Sequence, residues 1–351
     1  MNSPEGDASG PRIDIHVRPG GIEIRQQRPA IVASLVGKPV AAALQLVPAL
    51  LPICGKAQSV AASRAVTAAR MQVESTDQQV AYARQLWWEQ ALAAAWRCTI
   101  DWPDLLGEPR QLATLKRVRQ AKSERELGAM LQQLVPGLED ITGIDGLLDW
   151  VGKGSAVPAR VAHLAMDTGQ ASGGWVPLAI TGLDALQHIA ANAFAQEAFD
   201  ALDPEGSPQE VGPLAMARDA LTAELHRESG SQVLARILAQ VLDMRVIYRA
   251  LCSGTEAQSD SHGWSAQPGI GIAMTARGPV FHRVRLDPAD PETVADWRVL
   301  APTDWHFGPR GPVVRELREL GELASPAAMR LLIASYDPCA PWSLHTEQGD
   351  G

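Results

Sequence analysis

Helical periodicity in two long segments is the feature that most restricts how this chain can fold. Between positions 79 and 98 the apolar side chains recur every three or four residues: Val80, Ala83, Trp87, Ala91 and Ala94. That interval places them on one face of an α-helix, which must be buried against other elements. A second apolar helix is predicted over 231–251. Ser123 and Glu126 form a capping box that predicts a third helix through Leu134.

Two shorter parts of the chain alternate between apolar and polar residues, as strands do. Residues 12–17 and 22–25 flank a Pro-Gly-Gly turn and predict a hairpin. Within 270–286, four side chains share one face of a predicted strand: Val280, His282, Val284 and Leu286. The chain is therefore predicted to have an α+β fold that is mainly helical, with a small antiparallel β region.

The rest of the chain gives less regular patterns. Pro213 begins a predicted helix towards position 227, because proline is favoured in the first turn of a helix. A last helix is predicted over 311–335, and no element is predicted for 154–179, where the apolar residues follow no clear period. A break and a polar loop are predicted at 204–208 and 255–263.

Charge and apolar patterning exclude several classes of function. The 351 residues carry a formal net charge of -9, whereas a nucleic-acid surface needs clustered Lys and Arg. The longest apolar stretch, 40–53, is interrupted by two prolines and is shorter than the roughly 20 residues that cross a bilayer. Residues 1–11 lack the apolar run of a secretory signal, and four scattered cysteines predict reduced thiols. We therefore expect a cytoplasmic protein that binds neither nucleic acid nor membrane.

Two of the four cysteines stand in unusual surroundings. Cys54 lies in a Pro-Ile-Cys-Gly-Lys segment directly before a helical stretch, and Cys339 lies in an Asp-Pro-Cys-Ala-Pro segment. A helix N-terminus stabilises a thiolate, which makes such a cysteine a better metal ligand. For an isolated cysteine the commoner role is that of a small buried apolar residue. We assign Cys98 and Cys252 to that role, and their wide spacing argues against an iron–sulfur cluster.

Two polar loops complete the set of candidate residues. Arg277 is predicted in a tight turn, followed by His282 on the next strand, and a fixed guanidinium there can donate hydrogen bonds to cyanide or a carboxylate. The alternative is a solvated hairpin tip. A second loop concentrates polar groups in Ala301-Pro-Thr-Asp-Trp305 and in Gly308-Pro-Arg310. None of these signals identifies a function by itself.

Taken in order, these segments resemble the [NiFe]-hydrogenase large subunit over nearly the whole chain. Six elements match: Arg12-Ile-Asp-Ile-His16; Pro52-Ile-Cys54-Gly55; Gly212-Pro-Leu-Ala-Met216; Gly269 and Gly271 with Arg277-Gly278 and His282; Pro302-Thr-Asp-Trp305 with Pro309-Arg310; and Asp337-Pro-Cys339 with His345. Each element is short, and their common order carries the resemblance. It implies a helical core like that of the large subunit.

The departures from that family concern the metal ligands. The large subunit holds nickel and iron with two pairs of cysteines, and the second cysteine of each pair bridges both metals. Here the first member of each pair is present, as Cys54 and Cys339, but the bridging positions are Ala57 and Trp342. The family histidine after the first pair is replaced by Ala61. Hydrogen turnover is therefore not expected, and the chain is predicted not to be an enzyme.

This reduced cysteine set is similar to that of the HupK/HoxV type of hydrogenase maturation protein. The resemblance implies a transient scaffold for the Fe(CN)2(CO) unit before its transfer, without nickel. It implies two metal ligands and four residues beside the bound unit: Cys54 and Cys339, then Arg277, Asp14, Pro302 and Thr303. We expect the two sulfurs roughly 4 Å apart, since metal–sulfur bonds are about 2.3 Å long. The expected partners are the hydrogenase large subunit and maturation chaperones of the HypC/HypD kind.

The chain is expected to form a single large-subunit-like domain with four consecutive parts. These are an N-terminal β hairpin at 1–28, a helical core at 29–255, a β region at 262–314, and a C-terminal helix and cysteine motif at 315–351. Two other functions stay open: a metal-free interaction module that mimics the large subunit, and a divergent large subunit with activity. The two retained cysteines argue against the first, and the loss of half the ligands argues against the second.

Overall fold

The predicted N-terminal hairpin is present, and a strand from far along the chain extends it into a sheet. β1 (Arg12–Arg18) pairs antiparallel with β2 (Gly21–Gln27), and β6 (Trp342–Thr346) pairs with β1 in parallel. Gly20 turns the hairpin with a φ of 90°, a conformation that favours glycine. The structure is a computed structural model that describes residues 12–27, 31–168, 191, 194, 210–228, 231–253, 268–321 and 324–346.

Helices make up most of the described part of the chain. Through residue 168 they are α1 (Val40–Leu50), α2 (Gly55–Ala69), α3 (Thr76–Trp96), α4 (Trp102–Leu106), α5 (Leu112–Arg119), α6 (Glu124–Leu134), α7 (Gly143–Lys153) and α8 (Val157–Asp167). From residue 210 they are α9 (Pro213–Met216), α10 (Ala220–Glu228), α11 (Gln232–Ser253), α12 (Pro302–His306), α13 (Pro312–Leu320) and α14 (Pro326–Ser335). Short 3-10 turns occur at Ile31–Leu35 and Leu138–Asp140, and a π-helical turn at Arg97–Asp101 separates α3 from α4.

α11 is the central helix of the core. Its residues Leu238, Val241 and Leu242 are no more than 1% exposed, and α3, α6, α8 and α14 pack around it. α11 is buried on nearly all sides, which explains its many apolar residues, and the polar side chains of Arg236, Asp243 and Arg245 are buried with them. The mainly helical α+β fold predicted from the sequence is confirmed.

A second sheet carries the turn that matters for the site. β3 (Ile270–Thr275), β4 (Gly278–Leu286) and β5 (Val294–Leu300) form an antiparallel sheet in that order, and α2 lies across β3. A Cβ atom on Gly271 would lie 2.1 Å from the Ala61 carbonyl oxygen, so only glycine allows this close approach. The packing of α2 on the sheet places Cys54, the residue before α2, near the β3–β4 turn.

Two helix predictions are wrong in their extent. The helix that begins at Pro213 ends after one turn, because Ala217 adopts a left-handed conformation with a φ of 44°, and α10 follows as a separate helix. The helix predicted over 311–335 is two helices. Gly321, with a φ of 81°, ends α13, and the Ser325 hydroxyl accepts the Ala328 N–H to begin α14.

Other helix starts agree better with the sequence. The Ser123 hydroxyl accepts a hydrogen bond from the Glu126 N–H, which confirms the predicted cap of α6. The Glu126 carboxylate accepts from the Lys122 N–H and not from the Ser123 N–H, so the second hydrogen bond of the capping box differs from the prediction. α8 lies within 154–179, where no element was expected. The break at 204–208 and the loop at 255–263 lie outside the described residues. Among the helices that the structure describes, none is long and apolar enough to cross a membrane.

Candidate functional site

Cys54 lies at the start of α2 in an uncommon backbone conformation. Its φ of 57° and ψ of 38° are left-handed, which few residues other than glycine adopt. The N–H groups of Lys56 and Ala57 begin α2, and both donate to the Glu89 carboxylate of α3, at 2.8 and 2.9 Å. Glu89 therefore holds the N-terminus of α2 in place, and the half-buried Cys54 thiol is held with it.

The β3–β4 turn brings Arg277 to the same place. A Cβ atom on Gly278 would lie 1.8 Å from the Val211 carbonyl oxygen. Only glycine at position 278 therefore allows the turn to pack directly on the segment that contains Val211. The Arg277 side chain is buried, and its Nη1 donates to the Cys54 Sγ at 3.5 Å. The solvated hairpin tip that the sequence left open is therefore excluded.

The segment after α14 supplies the second thiol. Asp337 is buried between two arginines: its carboxylate accepts from Arg97 Nη2 at 2.7 Å and from Arg277 Nη2 at 3.4 Å. Its carbonyl oxygen also accepts from Arg277 Nε at 2.9 Å. Two residues later, the Cys339 N–H donates to the Thr303 Oγ1 at 3.0 Å, and the Thr303 hydroxyl donates to the Cys339 Sγ at 2.9 Å. Thr303 thus fixes Cys339 as Arg277 fixes Cys54.

One guanidinium lies within electrostatic reach of both cysteines. Burial lowers the pKa of Arg277, but Asp337, Cys54 and Cys339 together raise it above its ordinary value. The structure therefore brings together four of the predicted site residues, namely Cys54, Arg277, Thr303 and Cys339. Pro302, a fifth, is buried at the start of α12, directly before Thr303.

The charge state of Cys54 differs from the sequence expectation. Burial raises the pKa of the Cys54 thiol to about 12, with Arg277 opposing the rise and Cys339 adding to it. The sequence indicated a thiolate favoured by the helix N-terminus, but the Glu89 carboxylate occupies the N–H groups that would provide that stabilisation. Cys54 is therefore a thiol at neutral pH, and a metal that binds it must displace a proton.

Three polar residues of the site were missed in the sequence. Arg97 and Asp101 lie in the π-helical turn after α3, and Glu89 lies within α3. Burial, followed by the charge of Asp337, raises the pKa of Asp101 to about 6. A π-helical turn has no apolar period that would reveal it. The one available signal is Arg97 itself, a cation at the end of an apolar helix, because a buried cation needs a partner.

Asp14 makes its contacts in the first sheet. It accepts hydrogen bonds from the Arg12 guanidinium at 2.8 Å and from the Ser343 hydroxyl at 2.6 Å. Burial raises the pKa of Asp14, but these two hydrogen bonds outweigh it and the pKa is lowered. Among the described contacts of Asp14, none is with Cys54 or Cys339. Its place beside a bound unit stays a prediction.

The bridging positions of the resembled family carry no thiol in this chain. Ala57 is fully buried in α2, and Trp342 begins β6; Ala61, at the position of the family histidine, is also fully buried in α2. In the ranges that the structure describes, no group of three His, Cys, Asp or Glu residues is placed to hold a metal ion.

The remaining candidates are structural. Cys98 is buried as predicted, with its Sγ 3.6 Å from the Met244 Sδ, but Cys252 is exposed in the last turn of α11, so its assignment as a buried residue is wrong. His282 is fully buried: its Nδ1 accepts from the Trp297 N–H at 3.0 Å, and its Nε2 lies 2.7 Å from the Gln58 Oε1. Burial lowers the pKa of His282 to about 3, so the ring is neutral.

The fold and the site together define a class of protein. The structure is similar to the NAD+-reducing [NiFe]-hydrogenase in its H2-reduced state, with a TM-score of 0.57 and 15% identity over 91% of this chain and 92% of that one. It is also similar to the Ni-Fe-Se hydrogenase of Desulfomicrobium baculatum, with a TM-score of 0.51 and 14% identity over 93% and 95%. The chain therefore has the fold of the hydrogenase large subunit.

Sequence similarity narrows this class to a family. The chain is 31% identical over 332 residues to the hydrogenase expression/formation protein HupK of Azotobacter vinelandii, a match that covers 92% of this chain and 93% of that protein. It is 28% identical over 381 residues to the hydrogenase expression/formation protein HoxV of Cupriavidus necator, covering 95% of each. No family model matches the chain. The chain belongs to the HupK/HoxV family of hydrogenase expression/formation proteins.

Proposed function

We propose that this protein is a non-catalytic scaffold that carries the Fe(CN)2(CO) unit during assembly of a [NiFe] hydrogenase. The names of its relatives support a role in hydrogenase formation. The observation that carries the finer proposal is the arrangement of two thiols: Cys54 receives a hydrogen bond from the buried Arg277, and Cys339 is tied to Thr303 on the segment that Arg277 also holds.

The two thiols suit an iron cargo that arrives with its own ligands. Thiolates are soft ligands, and iron that carries cyanide and carbon monoxide needs few additional ones. Because Cys54 is protonated in the free protein, binding releases a proton and departure of the metal restores one. That proton exchange weakens the hold on the metal near neutral pH. A weaker hold suits a cargo that must be passed on.

Arg277 supplies recognition of the diatomic ligands. Its guanidinium is fixed by Asp337, and Arg97 in turn fixes Asp337 from the other side. A guanidinium presents several N–H donors in one plane, which suits the nitrogen of a bound cyanide. The buried Pro302 and the Thr303 hydroxyl border the same cysteine, and Asp14 is included in the site by resemblance.

Nickel is not expected in this site, and neither is hydrogen turnover. The positions that would bridge nickel and iron are Ala57 and Trp342, and neither side chain can ligate a metal. The proposed sequence of events therefore has two partners. Chaperones of the HypC/HypD kind deliver the iron unit, and the precursor of the hydrogenase large subunit receives it.

The proposal is tested by replacing each thiol. Cys54→Ser and Cys339→Ser should each abolish iron binding, since a hydroxyl is a far poorer ligand than a thiolate for low-spin iron. Infrared bands of cyanide and carbon monoxide, with iron content, are measured on protein purified without oxygen from cells that hold the maturation machinery. Hydrogenase activity is measured in the same cells. Cys252→Ser is the matched control, because that thiol is exposed and lies outside the site.

The outcomes distinguish the proposal from its alternatives. Loss of the infrared bands and of hydrogenase activity in both site variants, with neither lost in the control, supports the scaffold. Normal hydrogenase maturation in both site variants would overturn it in favour of a metal-free module that mimics the large subunit. Hydrogen turnover by the purified protein would show a divergent large subunit instead.

A further inference from the structure

A group of exposed cations on α5 and at the start of α6 has no part in the site described above. We call it the basic face; its members are Lys116, Arg117, Arg119, Lys122 and Arg125, all of them exposed. Residues 116–125 contain these five basic side chains and one acidic side chain, Glu124, which is paired with Arg84, although the whole chain has a net charge of -9. The charge of this surface is therefore opposite to that of the protein as a whole.

Most of these cations form no ion pair with an acidic side chain that the structure describes. Within the described residues, no ion pair engages Lys116, Arg117, Lys122 or Arg125. Nearby cations are paired: Arg84 with Glu124, Arg110 with Asp104, and Arg160 with Glu108. The repulsion among the cations of the basic face is therefore not offset by ion pairs in the described part of the chain.

Helix electrostatics explain only part of the basic face. Lys116, Arg117 and Arg119 occupy the last turn of α5, where the helix dipole favours cations. Lys122 and Arg125 flank the N-terminus of α6, where the dipole favours anions and disfavours cations. Since these two side chains act against the stability of their own helix, a role outside the folded chain accounts for them better.

Exposed apolar side chains border the basic face. Leu112, at the start of α5, is 64% exposed, and Trp96, at the end of α3, is 38% exposed. The Arg119 guanidinium lies over the Trp96 ring, 5.2 Å from its centroid. Tryptophan and arginine are enriched where proteins bind one another. This combination indicates a protein partner more than a bare polyanion.

Hydrogen bonds connect the start of α5 with the candidate site. The Gln111 N–H, which precedes α5, donates to the Thr99 carbonyl oxygen of the π-helical turn at 2.8 Å. Arg97, in the same turn, holds Asp337. α5, which carries three members of the basic face, is therefore anchored to the element that supports Asp337 and, through it, Arg277.

We infer that the basic face binds an acidic surface of the precursor of the hydrogenase large subunit, the protein that receives the iron unit. This inference rests on the proposed function and identifies the contact through which the iron unit is transferred. Charge attraction between the two surfaces would speed their encounter and would weaken as salt is added. Nucleic acid fits less well, because a long phosphate backbone would run beyond this small surface onto an acidic one.

The test reverses two charges at the place where stability is least at risk. Lys122→Glu/Arg125→Glu puts anions at the N-terminus of α6, where the helix dipole favours them, so the melting temperature should not fall. Arg318→Glu/Arg330→Glu is the control, with the same change of charge at exposed positions of α13 and α14. Binding to the purified precursor of the hydrogenase large subunit is titrated at low and high salt, with iron content and cellular hydrogenase activity measured alongside. A short single-stranded RNA serves as competitor.

The expected result separates this inference from the proposed function. Lys122→Glu/Arg125→Glu should bind iron normally, bind the precursor about tenfold more weakly at low salt and lower hydrogenase activity, while the control does neither. Unchanged precursor binding and activity would overturn the basic face as a docking surface, even if Cys54→Ser still abolishes iron binding. Displacement of the precursor by RNA in the wild-type protein, but not in the variant, would assign this surface to nucleic acid. If Cys54→Ser keeps maturation intact while the charge variant loses it, the proposed cargo is wrong and the docking surface stands.

Discussion

Asp337→Asn is the substitution that most directly tests how the site is held. The Asp337 carboxylate lies between Arg97 and Arg277, and its side chain is only 8% exposed. Asparagine has the same shape and keeps one oxygen acceptor, but it removes the charge. Two buried guanidinium groups would then share no counter-ion, and Arg277 would lose the partner that fixes its position beside Cys54.

The expected loss of stability is substantial. Removing one partner of a buried ion pair costs about 3–5 kcal/mol of stability. Because asparagine keeps one hydrogen-bond acceptor, we expect the loss in this variant to be about 3 kcal/mol. An unfolding entropy of about 2.1 cal/mol/K per residue gives roughly 0.7 kcal/mol/K for a chain of this length. The melting temperature should therefore fall by about 4 °C.

The pH dependence gives the prediction a second check. Burial raises the pKa of Asp337, but Arg277 and Arg97 outweigh it and the pKa is lowered. The stabilisation is therefore fully present above the ordinary aspartate pKa and is lost as the pH falls through the lower value of the folded state. The difference in melting temperature between wild type and Asp337→Asn should shrink in acid below about pH 4.

The assay is calorimetry of both proteins at neutral and acidic pH, with iron content as a functional readout. Asp104→Asn is the matched control, since its ion pair with Arg110 is exposed at both ends and should contribute less than about 1 kcal/mol. Iron retention should fall in Asp337→Asn alone. A melting temperature for Asp337→Asn that equals that of the control would refute the claim that this carboxylate organises the site.

Other contacts make three more expectations testable. Arg277→Lys keeps the charge but loses the planar set of donors near Cys54, so iron should still load. Infrared time courses should show that it is lost several-fold faster than from the wild type, and unchanged retention of iron would contradict this expectation. Cys98→Ser should lower the free energy of unfolding by roughly 1–2 kcal/mol in urea titrations, whereas Cys252→Ser, at an exposed position, should change it by less than about 0.5 kcal/mol. Equal effects would show that burial of the thiol does not determine the loss of stability. The buried, neutral His282 stabilises the fold above about pH 6.5, and this contribution should decline towards pH 3, with a loss of about 3 kcal/mol at pH 4. A free energy of unfolding that is constant from pH 7 to pH 4 would exclude this contribution.

The elements that could be predicted from the sequence are those whose burial is strongly periodic. The helix at 231–251 was evident from its many apolar residues over a helix-length segment, and the hairpin at 12–25 from an alternation that flanks a glycine turn. The break at Ala217 could not be predicted, since alanine favours helices and only the packing around it imposes the left-handed conformation.

The site was predictable only in part. Cys54 and Cys339 were identified through the order of motifs along the chain, because no local pattern connects residues so far apart. The π-helical turn that carries Arg97 was not predictable, because its hydrogen bonding depends on tertiary contacts. The raised pKa of Cys54 was missed for a similar reason: it depends on burial and on Glu89, a residue on another helix.

The parallel pairing of β6 with β1 has a consequence for how the protein is made. More than 300 residues separate the two strands, so the ribosome completes β1 and the Cys54 segment long before the strand that follows Cys339 exists. Closing so large a loop is entropically costly and comes late in folding. A nascent chain can thus present only one of the two thiols. Under the proposed function, a cargo that needs both thiols could be held only by chains in which both cysteine segments have been made and β6 has paired with β1.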